Sequence, residues 1–286
     1  MAIDADIFVD GALVNRLLRE QHPDLGTLEL RLVTNGWDNV IYRLGDELVV
    51  RLPRRLVAVP LVEHEQHWLP EIAERVTVDV PAPIRIGLPS NAFPWPWTVA
   101  PWFEGELGST TRFAEHDSLA AELASFISEL HVPAPPDAPF NPVRGVPLAV
   151  RSESVVARLA TGIAPRADEL LDAWRRASSI EPWQGAPLWL HGDLHPANIL
   201  TSGGHLSAVL DFGDLTSGDP ATDLATAWLT FDPAGRERFR SALDYDDATW
   251  QRAVGWAISL GSAALMGDSA MQSIGTHALE QVLLGV

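Results

Sequence analysis

The ten residues HGDLHPANIL, from His191 to Leu200, set two histidines, an aspartate and an asparagine ahead of an apolar run, and VLDFGD follows with Asp211. Asparagine and aspartate supply hard oxygen donors. Mg²⁺ takes one or two such groups from a protein and completes its shell with phosphate oxygens and water. Ile199–Thr201 reads as a strand, residues 202–205 as a turn, and Leu206–Leu210 as the returning strand. Residues flanking the open end of an antiparallel hairpin lie roughly 5 Å apart. The Asn198 amide and the Asp211 carboxylate are therefore expected side by side. Asp193 precedes them across a loop stiffened by Pro196 and is placed to take a hydroxyl proton beside the metal. Each residue alone reads as a turn former or a cap. Together their spacing reads as a site.

Around this segment the chain divides by character. Asp10 caps a helix with Leu13, Val14, Leu17 and Leu18 on one face. Residues 27–33 alternate with Leu28, Leu30 and Leu32 on one side and predict a half-buried strand. A turn cluster, Asn35–Asn39, leads to strands at 40–44 and 47–52 joined across Gly45-Asp46. A helix over 62–75 and extended runs at 84–87 and 97–103 complete a small, mostly antiparallel sheet with one inserted helix. Beyond Gly105 the pattern turns helical: residues 118–131, 154–160, 167–177, and about three further helices after the hairpin. Residues 133–147 are dense in proline and read as a long surface connection.

Composition narrows the function. A net charge of −18 argues against a phosphate-backbone binder, which needs a basic face, and favours a cationic small-molecule partner. All 20 basic residues are arginine, so a lysine-dependent P-loop and a lysine Schiff base are excluded. There is no cysteine, hence no disulfide and no thiolate metal site. No membrane-spanning run and no signal peptide is read, and a cytoplasmic protein is expected.

HGDLHPAN followed by VLDFGD resembles the catalytic and metal-binding loops of aminoglycoside phosphotransferases, antibiotic kinases related to choline kinases and more distantly to protein kinases. The resemblance implies an α+β, bilobal, protein-kinase-like fold: a small antiparallel-sheet N-lobe with one inserted helix, and a larger helical C-lobe. It divides the chain into a nucleotide-binding lobe over 1–103, including the start of a hinge, and a lobe over 104–286 with the catalytic loop and acceptor site. It implies that Asp193 is the catalytic aspartate, that Asn198 and Asp211 hold Mg²⁺ on the phosphates of ATP or GTP, and that His191 braces the loop. His195 stands where protein kinases often carry a lysine near the transferring phosphate. Arg51, in LVVRLP, takes the strand position where many relatives have lysine, with Glu65 as its helix partner and Glu63 as the fallback. The turn holding Asn35 and Gly36 corresponds to the phosphate-covering loop. APWFEG corresponds to the hinge, with the Pro101 carbonyl and the Phe103 N–H meeting the purine. In GDPATDLATAW, Asp219 caps a helix and Asp223 braces the catalytic loop from below. Asp214 is the first candidate for an acceptor ammonium.

The expected activity is transfer of the γ-phosphate to a hydroxyl of a small molecule, an aminoglycoside-type antibiotic first. A macrolide or a small metabolite such as an amino alcohol or sugar is the alternative within the family, with resistance or housekeeping roles equally open. The protein is expected to be a monomer or dimer, with no nucleic-acid or membrane partner. A rival from another class is a metal-dependent hydrolase using His191, Asp193 and His195 on zinc or manganese, which Pro196 and the hairpin disfavour. A binding module without turnover is disfavoured by the intact Asp193, Asn198 and Asp211.

Overall fold

The computed structural model describes residues 5–111 and 113–285. The strands are β1 (Leu30–Asn35), β2 (Asn39–Leu44), β3 (Leu48–Pro53), β4 (Arg85–Gly87), β5 (Trp97–Pro101), β6 (Glu106–Leu107), β7 (Leu188–Leu190), β8 (Ile199–Ser202), β9 (His205–Val209) and β10 (Thr216–Gly218). The helices are α1 (Gly11–Gln21), α2 (Val59–Arg75), α3 (Phe113–His116), α4 (Ala120–Leu130), α5 (Ser152–Leu159), α6 (Ala167–Ser178), α7 (Ala221–Leu224), α8 (Thr226–Thr230), α9 (Pro233–Ser241), α10 (Asp247–Ala264) and α11 (Ser269–Leu283). They fall into two compact units, one running to Arg75 and from Asp79 to Phe103, the other comprising Val76–Val78 and the chain from Glu104.

In the first unit an antiparallel sheet has the order β1-β2-β3-β5-β4. Asp10 accepts from the Leu13 N–H at 2.8 Å and starts α1, whose apolar stripe of Val14, Leu17 and Leu18 packs with Val40, Tyr42, Leu44, Val50, Leu52 and Val99 from the sheet. Glycine at 45 takes a φ of +61° in the β2–β3 loop. Leu44 pairs with Leu48, so that loop holds three residues, not the two expected from the sequence. The predicted half-buried strand over 27–33 is corrected. It forms later, as β1, and lies at the sheet edge with Leu32 and Val33 exposed. A register shift between Leu32 and Thr34 breaks the two-residue alternation on which that expectation rested.

In the second unit α10, buried along most of its length, packs against α5, α6, α7, α8 and α11. Two small antiparallel sheets accompany the helices, β6-β8-β9 and β10-β7. The β8–β9 hairpin turns at Gly203-Gly204, both at positive φ. Among the described residues no helix is long and apolar enough to cross a membrane.

Candidate active site

The HGD stretch leaves β7 over a fully buried carboxylate. Asp223, at the start of the helical segment after β10, accepts from the His191 N–H at 2.7 Å and the Gly192 N–H at 2.8 Å, and His131 Nε2 lies 3.2 Å from it. A buried carboxylate needs such partners, and here they fix the loop backbone. Gly192 has a φ of +86°, and a Cβ there would lie 2.3 Å from the Asp214 carbonyl oxygen. The close approach requires glycine. His191 uses both ring nitrogens on the chain itself: Nδ1 accepts from the Asp193 N–H at 3.2 Å, and Nε2 is 2.9 Å from the Leu210 carbonyl. With neither nitrogen spare for a metal, the His-x-Asp-x-His ligand set loses its first member. Among the described residues no three His, Asp or Glu side chains gather as a metal cage.

Asp193 is held from two sides. His195 Nε2 lies 3.2 Å from Oδ2, and Arg144 Nη2 donates to Oδ1 at 3.1 Å. The Asp193 side chain keeps 31% of its surface exposed, so solutes reach it. Loss of water alone would raise its pKa. The charge and hydrogen bond of His195, then Arg144, outweigh that and hold the carboxyl well below the ordinary range. Burial likewise works against a charged His195, but Asp193 and then Asp211 raise its pKa above the usual histidine value.

Pro196 opens a short 3₁₀ turn that delivers Asn198 to the start of β8. The Asn198 carbonyl accepts from the Leu210 N–H at 2.8 Å, extending the hairpin ladder by one step beyond the Ile199–Val209 pair. Asp211 follows directly, so Asn198 and Asp211 do flank the open end. Asp211 adopts a φ of +58°, left-handed for a non-glycine residue and a conformation that collects at functional sites. The Asn198 side-chain NH₂ donates to the Asp193 carbonyl at 2.9 Å, which leaves its amide oxygen as the donor available to a metal. An amide oxygen and an exposed carboxylate fit a hard divalent cation such as Mg²⁺.

Asp214, expected near an acceptor ammonium, has both oxygens engaged within the protein. Oδ1 accepts from Asn141 Nδ2 at 2.8 Å, and Oδ2 lies 3.1 Å from Arg144 Nη2. Asp219 accepts from the Ala221 N–H at 3.0 Å and forms a buried ion pair with Arg252 at 2.7 Å. Arg144 and Asn141 escape a sequence reading because they lie in the proline-dense stretch expected to be a surface connection. That stretch carries no periodicity, and only the fold turns it toward Asp193.

In the first unit, Arg51 on β3 and Glu65 on α2 form a buried ion pair, with Nη1 at 3.1 Å from the carboxylate. Glu63 is exposed, so the fallback register is not the one adopted. Asn35 ends β1 and Gly36 opens the β1–β2 connection, and Arg54 Nη1 donates to Asn35 Oδ1 at 2.7 Å and to the Gly36 carbonyl at 3.1 Å. Pro101 ends β5 opposite Leu48, with Phe103 two residues beyond.

A two-unit α+β chain with an antiparallel sheet, an HGD loop and an Asn–Asp hairpin defines a protein-kinase-like fold. The model of the phosphotransferase enzyme family matches residues 29–256, and the chain belongs to that family. Among solved structures it is similar to the GDP complex of wild-type aminoglycoside 2'-phosphotransferase-IIIa, with a TM-score of 0.71, 20% identity, and coverage of 97% of this chain and 99% of that one. It is also similar to the gentamicin complex of APH(2")-IIa, with a TM-score of 0.61, 19% identity, and coverage of 96% and 97%. A third is the apoenzyme of macrolide 2'-phosphotransferase MphH from Brachybacterium faecium, with a TM-score of 0.60, 21% identity, and coverage of 95% and 98%. No curated protein sequence matches the chain.

Proposed function

We propose that this phosphotransferase moves the γ-phosphate of ATP or GTP to a hydroxyl of a small molecule in the cytoplasm, with Asp193 as the group that meets the acceptor. One observation carries this reading. Asp193 is pinned through both oxygens yet open to solutes, and its carbonyl anchors Asn198 beside Asp211.

Phosphoryl transfer asks little covalent chemistry of a protein and depends on positioning and charge. An Asp193 carboxylate that stays ionised suits the positioning part of that chemistry, because it orients the hydroxyl, and since the same neighbours weaken it as a base it takes the proton only as the new bond forms. Asn198 and Asp211 would hold Mg²⁺, which supplies neutralisation of the nucleotide phosphates. His191 takes no chemical part and keeps the loop in place. His195 pairs with the Asp193 carboxylate and adds positive charge beside it. The nucleotide-binding assignment of residues 1–103 gives Arg51, oriented by Glu65, to the phosphates, with a forked guanidinium replacing the lysine this chain lacks. Asn35 and Gly36 cover the phosphates. The Pro101 carbonyl and the Phe103 N–H meet the purine. Residues 104–286 carry the catalytic loop and the acceptor.

An aminoglycoside-type acceptor is the first reading, since a chain of charge −18 attracts a polycation. A macrolide or a small metabolic alcohol is the second. It is favoured by Asp214, both of whose oxygens already have a partner in Asn141 or Arg144, so that an acceptor ammonium would have to share them. Purified protein incubated with Mg²⁺ and labelled ATP or GTP, against a panel of aminoglycosides, macrolides and amino alcohols, tests both. Transfer to one class identifies it. Transfer to none, with nucleotide bound, rejects the proposed activity.

A further inference from the structure

Arg144 is rooted with unusual firmness for a residue outside any strand or helix. On its N-terminal side the Asn141 N–H donates to Thr216 Oγ1 at 3.0 Å, and Asn141 Oδ1 accepts from the Val143 N–H at 2.9 Å. On its C-terminal side the Gly145 N–H donates to Thr222 Oγ1 at 3.1 Å, and the Gly145 carbonyl accepts from the Asp219 N–H at 3.0 Å. Gly145 itself sits at a φ of +67°, and a Cβ on the facing Gly218 would come within 2.2 Å of its carbonyl oxygen. The chain is thus stitched to β10 and the start of α7 on both sides of one arginine. A surface arginine kept for solubility has no need of such a root.

The side chain leads to the same conclusion. One guanidinium nitrogen, Nη2, reaches Asp193 Oδ1 and Asp214 Oδ2, each at 3.1 Å. The two carboxylates are therefore neighbours, and without a cation between them they would repel, turning one away or protonating it. Arginine holds its charge at any working pH. Asp214 is in turn fixed by Asn141, so the bridge ties Asp193 to a carboxylate that cannot swing.

We propose that Arg144 is a positioning residue of the transfer reaction, bridging Asp193 to the anchored Asp214 so that the Asp193 carboxylate faces the acceptor hydroxyl. The proposal rests on the function assigned above. Arg144 itself takes no proton and no phosphate. Its effect is on orientation, where small displacements cost large factors in rate.

The test compares wild type, Arg144→Met, Arg144→Ala, Arg144→Lys and the double variant Arg144→Met/Asp214→Asn, using Mg²⁺, ATP or GTP, and the panel acceptor that the wild type phosphorylates fastest. Arg144→Met is expected to lower kcat roughly 10- to 100-fold with nucleotide binding unchanged. Arg144→Lys keeps the charge but not the reach and is expected to fall between. The double variant removes the repulsion and should recover part of the lost kcat, and added methylguanidinium should do the same for Arg144→Ala. A purely structural arginine would lower the melting temperature without kcat rescue. An acceptor-binding one would raise KM and leave kcat alone. Either result overturns the proposal, as does Arg144→Lys at wild-type kcat if Arg144→Met does not fold. A wild type that transfers phosphate to no acceptor overturns the functional reading and this proposal with it, whereas active wild type with equally active variants overturns only the role of Arg144.

Discussion

The side-chain amide of Asn198 donates to the main-chain carbonyl of Asp193 at 2.9 Å, so the residue proposed to meet the metal and the residue proposed to meet the acceptor share one bond. That bond fixes which end of the amide faces the loop. The oxygen is left for a cation, and any shift of Asn198 is felt at Asp193.

Metal dependence follows from this arrangement and from Asp211. Asp211→Gly removes the carboxylate while accepting the backbone φ of +58° without penalty, so thermal stability should stay within about 1 kcal/mol of wild type. Mg²⁺-dependent nucleotide binding should nonetheless be lost, and Asn198→Ala should raise the Mg²⁺ midpoint on the order of 10-fold or more. Titrating Mg²⁺ into protein and nucleotide by calorimetry reads both. Unaltered Mg²⁺ dependence in either variant removes that residue from the metal.

Arg51 and Glu65 have separable consequences. Arg51→Met should weaken triphosphate binding more than nucleoside binding, because only the former presents phosphate oxygens. Glu65→Ala leaves a buried guanidinium without its carboxylate and should cost roughly 3 kcal/mol in urea unfolding. Equal losses for nucleoside and triphosphate would take Arg51 off the phosphates.

On α11, His277 predicts an acid-side loss of stability. Burial, only partly offset by the Phe231 carbonyl, lowers its pKa from 6.5 to about 4. Above pH 7 it is neutral in both folded and unfolded chains and contributes no pH dependence. As the pH falls through 6.5 the unfolded chain binds a proton that the folded chain refuses, and stability drops until about pH 4, by about 3 kcal/mol. Urea unfolding of His277→Gln across this range should show a correspondingly shallower decline. Parallel curves for the two proteins would show that His277 is not the group responsible.

The loop itself is tested at Gly192. Alanine there meets both the positive φ and the Asp214 carbonyl oxygen, so Gly192→Ala should lose roughly 2 kcal/mol or more and reduce transfer together with stability. Wild-type melting and turnover would mean the loop has slack that this packing does not suggest.

Much of the fold and site is legible in the order of residues alone. The hairpin carrying Asn198 and Asp211 follows from alternation and a glycine turn, whereas Arg51 with Glu65 follows from the family resemblance laid over a strand and the helix after it. Local pattern sets such elements. The exposure of β1 is not legible, because being a sheet edge depends on strand order, which alternation does not encode. Arg144 is hidden for a related reason. Its segment has no period, and its partners Asp193 and Asp214 lie far along the chain, joined to it only by tertiary packing.

The most direct measurement is Asp193→Asn, assayed for labelled γ-phosphate transfer with Mg²⁺–nucleotide affinity determined on the same sample. The isosteric amide keeps the shape of the loop but has no charge with which to orient and deprotonate a hydroxyl. Transfer should fall by about 10²- to 10⁴-fold while nucleotide affinity changes by less than about twofold. Undiminished transfer by Asp193→Asn would contradict the account at its centre.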